Sequence, residues 1–136
     1  MSRLAASFLR LARDDLAAAR RLLPDMPRVA SFLLQQAAEK LVKAALVEAG
    51  TAEPPRWHDI GRLVGLLPLD HPRLGELAAL ADLSAYAVTA RYPLGDEVAP
   101  EPDPEQLLER ADRIVALLGE WGDNAPDPGH THSGRA

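Results

Sequence analysis

The chain contains no cysteine, which excludes disulfides and thiolate metal sites. Aromatic residues make up only 4% of its 136 positions, against 47% hydrophobic residues overall. Leu, Ala and Val must therefore fill the core, a mix that favours packed helices over strands. No apolar run approaches the roughly 20 residues of a membrane span, so no membrane partner is expected. The opening MSRLAASFLRLARDD breaks its apolar residues with Arg10, Arg13, Asp14 and Asp15. That is not the layout of a cleavable signal, and a cytoplasmic location is expected. No phosphate-cradling glycine loop, GxSxG or HExxH pattern occurs, so no cofactor and no metal are expected.

The net charge of −5 is unevenly spread. Residues 1–43 carry +4, residues 44–121 carry −8 and the tail carries −1. An acidic chain is a poor non-specific binder of nucleic acid, which is held by phosphate neutralisation. A local basic face on the first two helices remains compatible with this balance.

Helical periodicity marks the chain from end to end. The first helix is predicted from about Ser2 to Leu23, with Leu4, Phe8, Leu11, Leu16, Ala19 and Leu23 inward. Pro24 stops it, and PDMP leads into a second helix with Pro27 in its first turn. So short a link implies an antiparallel hairpin. A stiff loop, TAEPPRW, precedes a short third helix opened by His58-Asp59. A fourth helix is predicted from Asp70-Pro72 to about Ala90, with Leu74, Leu77, Ala78, Ala81, Leu83 or Ser84, and Val88 inward. After a proline-rich loop, Asp103, Pro104 and Gln106 make a cap, a first-turn proline and a capping-box residue. The last helix follows to about Trp121, with Leu107, Leu108, Ala111, Ile114, Val115 and Leu118 inward. Residues 122–136 have the composition of a disordered tail. The expected fold is all-α, an up-and-down four-helix bundle with one additional short helix, in a single domain over residues 1–121.

The second helix separates cleanly by angle. At about 100° per residue, Gln35, Glu39, Lys43, Gln36 and Lys40 share an arc of about 140°, and Ala, Leu and Val fill the rest. A solvated face accounts for this arc, with Glu39 and Lys43 as a favourable i,i+4 pair. Gly50 is placed to end the helix in a left-handed conformation.

Candidate chemistry lies elsewhere as well. His58, between Trp57 and Asp59, stands where a loop meets a helix N-terminus. It serves there either as a cap or as part of a polar site facing Arg91. In Arg91-Tyr92-Pro93 the guanidinium fork suits a phosphate or carboxylate, and Tyr92 offers a stacking face with a polar end. The alternative is that Arg91 pairs with an acid of the negative half. His71 reads as an exposed turn residue, and His130 and His132 lie in the tail.

These pieces resemble a known family. QQAAEKLVKA (35–44), HDI (58–60) and ARYP (90–93), in that order and preceded by DDLAAARRLL (14–23), are similar to the HEPN domain over about residues 3–121. The resemblance implies a helical bundle that pairs as a homodimer. Ribonuclease members of the family carry an arginine followed at short spacing by a histidine. Here Arg91 is followed by Tyr92, Pro93, Leu94, Gly95, Asp96 and Glu97, so that motif is missing. The Arg-Tyr-Pro branch implies nucleotide binding and a small nucleotidyltransferase partner in a toxin–antitoxin-like system. On that reading Arg91 contacts phosphate and Tyr92 shapes the pocket, while Lys40, Gln36 and His58 lie at its rim. The alternatives are a metal-independent ribonuclease using Arg91, His58 and Tyr92 on an RNA ligand, and a dimeric scaffold with no ligand.

Overall fold

Three long helices frame the molecule: α1 (Arg3–Leu22), α2 (Pro27–Glu48) and α6 (Pro104–Asn124). The structure is a computed structural model and describes residues 1–89 and 101–124. Between α2 and α6 run α3 (Ile60–Val64), α4 (Leu74–Ala78), a 3₁₀ turn (Ala81–Leu83) and α5 (Ser84–Thr89). Among the described residues there is no strand, and the all-α bundle is as expected.

The helix ends follow their sequence signals. The Ser2 side chain accepts from the Ala5 amide at 3.1 Å and caps α1. Asp59 caps α3 through the Arg62 amide, and Asp103 caps α6 through the Glu105 amide. Gly50 has φ of 112°, the left-handed region that glycine enters without cost. Its amide bonds the Val47 carbonyl while the Thr51 amide bonds that of Leu46, which together make a Schellman ending to α2.

The inner face of α1 keeps the predicted Leu16 and Ala19 but is offset from the prediction nearer its N-terminus. Ala5, Leu9, Ala12, Leu16 and Ala19 are buried, while Leu4 and Leu11 are exposed. Alanine at three of these five positions lets the backbones of α1 and α2 approach closely. On α6, Leu107, Ala111, Ile114, Leu117, Leu118 and Trp121 are buried, and the expected Leu108 and Val115 are exposed.

The fourth helix is not continuous. Leu77, Leu80 and Leu83 are all buried, and a 3₁₀ segment, with three residues per turn, aligns that spacing on one side. The amides of Leu80 and Leu83 accordingly bond the carbonyls three residues back. Asp82 in this turn receives Arg110 Nη2 at 2.6 Å and Gln106 Nε2 at 3.2 Å, tying the turn to α6. Gln106 is thereby drawn to Asp82 and away from its expected capping box.

Asp70 does not cap α4. Instead His71 Nδ1 accepts the Arg73 amide at 3.1 Å. The Arg73 guanidinium lies 4.4 Å over the Trp121 ring, and Trp121 Nε1 donates to Glu48 at the end of α2. Burial, and then the Arg73 charge, hold the His71 pKa below its ordinary value of 6.5. A lowered histidine pKa means that the unfolded chain takes the proton first. The contribution of His71 is therefore complete above pH 6.5 and is lost as pH falls from there through the folded-state value. Urea unfolding between pH 7 and 5 is expected to show a steeper loss of stability for the wild type than for His71→Asn. Equal slopes would show that the proton is not excluded at His71.

Candidate functional site

Four polar residues of α2, Ser31, Gln35, Glu39 and Lys43, recur at every fourth position and are buried. This corrects the solvated arc expected from the sequence. Helix α2 is the central element of the bundle and packs against α1, α3, α5 and α6. The face left polar by its sequence lies under the 51–59 loop, where each polar group must find a partner within the protein.

Ser31 satisfies its hydroxyl within the helix, donating to the Arg28 carbonyl at 2.7 Å. The other three form one network. Gln35 Nε2 donates to the His58 carbonyl at 2.9 Å and to Glu39 Oε1 at 3.2 Å, while its own Oε1 accepts from Gln36 Nε2 at 2.7 Å. Lys43 Nζ donates to Glu39 Oε2 at 3.1 Å. His58 Nδ1 lies 3.0 Å from Glu39 Oε1. The Glu39 carboxylate thus gathers an amide, an ammonium and an imidazole.

Exposure separates the members. The side chains of Glu39 and Lys43 are only 7% and 11% exposed, whereas that of His58 is 64% exposed. A carboxylate only accepts hydrogen bonds, so the contact places the proton on Nδ1 and leaves the Nε2 lone pair outermost in the neutral ring. The protonated ring would present an N–H there instead. Either form gives solvent a ring nitrogen whose direction is set from beneath.

The segment bearing His58 is held on both sides. The Ile60 amide donates to Ser84 Oγ at 2.8 Å, at the start of α5, and Ile60 itself is buried. The Arg62 guanidinium stands 4.1 Å over the Trp57 ring.

Of the residues picked out from sequence, His58 lies in the network and Gln36 at its edge. Lys40 is elsewhere, paired with Asp15 on α1. Arg91 and Tyr92 lie outside the described residues, as do the loop around Pro93 and the tail from 125 onward. Glu39, Lys43 and Gln35 were missed as site residues. Their signal was the i,i+4 spacing, which looks the same on a wet face as on a buried one. Among the described residues no group of three His, Asp or Glu is arranged to hold a metal ion, and no helix is long and apolar enough to cross a membrane.

Comparison with known proteins bears on this geometry directly. The family model for the HEPN domain matches residues 5–121, which takes in most of α1, the buried network, the pinned loop and most of α6. The chain belongs to the HEPN family. Among solved structures it is similar to TT1696 from Thermus thermophilus, with a TM-score of 0.66 and 29% identity, over 88% of this chain and 98% of that one. Among curated proteins none matches. In this HEPN chain, the QQAAEKLVK stretch forms the floor of a buried polar network, and HDI forms the loop clamped onto it.

Proposed function

We propose that this HEPN chain is a nucleotide-binding module that takes the ligand's phosphates at the Glu39–Lys43–His58 network. It works as a homodimer partnered with a small nucleotidyltransferase in a toxin–antitoxin-like system. One observation carries the nucleotide reading: His58 is fixed through Nδ1 by a buried carboxylate yet leaves its ring largely in solvent. Anchoring the loop does not require this, because Gln35 already holds it through the His58 carbonyl. In its protonated form the outward-facing imidazole presents an Nε2–H that can donate to a phosphate. The likeness of ARYP to the Arg-Tyr-Pro branch assigns Arg91 and Tyr92 to the same ligand, the first by a bidentate fork and the second by a stacking face.

The homodimer draws support from Leu4 and Leu11, exposed one above the other on α1, which give a second copy apolar surface to bury. The nucleotidyltransferase partner rests on the likeness of the ARYP segment to the Arg-Tyr-Pro branch of the family. The same Nδ1–Glu39 contact favours a second reading, RNA cleavage with His58 as base, because a carboxylate-oriented imidazole is how a general base is commonly held.

Titration of the purified protein with ATP, GTP and a short RNA tests both readings. Saturable nucleotide binding without turnover, weakened at least tenfold by Arg91→Ala, is the expected result. RNA degradation abolished by His58→Ala would favour the enzyme. Absence of any binding or cleavage would overturn both.

A further inference from the structure

The residues flanking His58 form a second surface that the phosphate reading leaves unused. Segment 57–62 is held at three points, the His58 carbonyl by Gln35, the His58 ring by Glu39 and the Ile60 amide by Ser84, and is stiffened internally by the Asp59 cap on the Arg62 amide. Trp57, half-buried, packs against the core cluster, and the exposed Arg62 covers its ring at 4.1 Å. The protein's other tryptophan is enclosed at the end of α6. A partly exposed indole next in sequence to an oriented imidazole, on a loop with little freedom, is a pre-organised stacking surface.

We propose that Trp57 and Arg62 bind the base of the nucleotide whose phosphates the His58 network receives. This rests on the phosphate reading above. Every base offers a flat π face, and stacking on an aromatic side chain typically holds it by roughly 5- to 150-fold. An exposed cation–π pair is worth only about two- to fivefold, so the base enters against the indole at a net gain and Arg62 closes over its outer face. The Asp59 carboxylate lies between Trp57 and Arg62 in the chain, with its side chain committed to the Arg62 amide. A purine, with its larger face, is preferred over a pyrimidine.

The test is calorimetric titration of the full chain with ATP and, separately, with inorganic tripolyphosphate, which lacks the base. The wild type is expected to bind ATP about tenfold or more tightly than tripolyphosphate. Trp57→Leu is expected to bring ATP down to the tripolyphosphate level without changing tripolyphosphate itself. If Trp57→Leu fails to fold, the exposed Arg62→Gln carries the test, with a several-fold loss for ATP alone. Equal affinities in the wild type, or ATP binding unchanged in both variants, would overturn the proposal while leaving the phosphate reading standing. If neither compound binds the wild type, the phosphate reading itself has failed and this proposal with it.

Discussion

Replacing Glu39 by leucine is expected to destabilise the protein by about 3 kcal/mol, the low end of the range for breaking a buried ion pair. Glu39 is 7% exposed and accepts from Gln35, Lys43 and His58. Leucine fills the space but removes the acceptor shared by all three. Lys43, 11% exposed, would then hold a charge with little water around it, and that penalty dominates the loss. Its slight exposure lets the ammonium find some solvent, which is why the low end applies. Replacing both Glu39 and Lys43 by leucine removes the orphaned charge and is expected to recover most of the loss. Urea unfolding of the two single variants and the double variant measures this. A single-variant loss below about 1 kcal/mol would mean that water reaches the network freely.

Trp121→Ala is expected to cost about 3–5 kcal/mol, as large-to-small changes of buried aromatics do. Trp121 is 2% exposed and joins three elements at one end of the bundle. Its ring lies under the Arg73 guanidinium, and its Nε1 donates to Glu48. Alanine opens a cavity, and it also uncovers Arg73, whose Nε is already buried with no hydrogen-bond partner among the described residues. Trp121→Phe keeps a ring beneath Arg73 and gives up the bond to Glu48, so its cost should fall to roughly 1–2 kcal/mol. If the alanine and phenylalanine variants unfold at the same denaturant concentration, ring packing is not what secures the end of α6.

Much of the fold was legible because caps and breakers act locally. Gly50, Asp59 and Asp103 need only their immediate neighbours to end or begin a helix, and all three do so. The inner face of α1 was less legible. Leucine outweighs alanine in any count of hydrophobicity, yet the close contact with α2 selects Ala5 and Ala12 and leaves Leu4 and Leu11 outside. The break in the fourth helix escaped for a related reason. Apolar residues at every third position fit an α-helix as well as a 3₁₀ turn, as the buried Ala111, Ile114 and Leu117 of α6 show.

The candidate site was half legible. His58 stood out as a polar residue at a helix start, but its partner did not. Amphipathic reasoning assumes water opposite the apolar face, and α2 has protein on that side as well. Glu39 and Lys43 therefore presented as a surface pair, although the 51–59 loop, whose backbone bonds to Gln35, covers them. No local pattern distinguishes an ion pair in water from one whose partners arrive from 19 residues further along the chain.

The most direct test of the account compares nucleotide affinity and stability in His58→Ala. Because Gln35 holds the loop through the backbone of residue 58 and not its ring, the variant should unfold within about 1 kcal/mol of the wild type. Its affinity for ATP or GTP, measured by calorimetric titration, should nonetheless fall by at least tenfold. Unchanged nucleotide affinity, with a stability loss approaching that of Glu39→Leu, would contradict the account and make the network a strut for the loop.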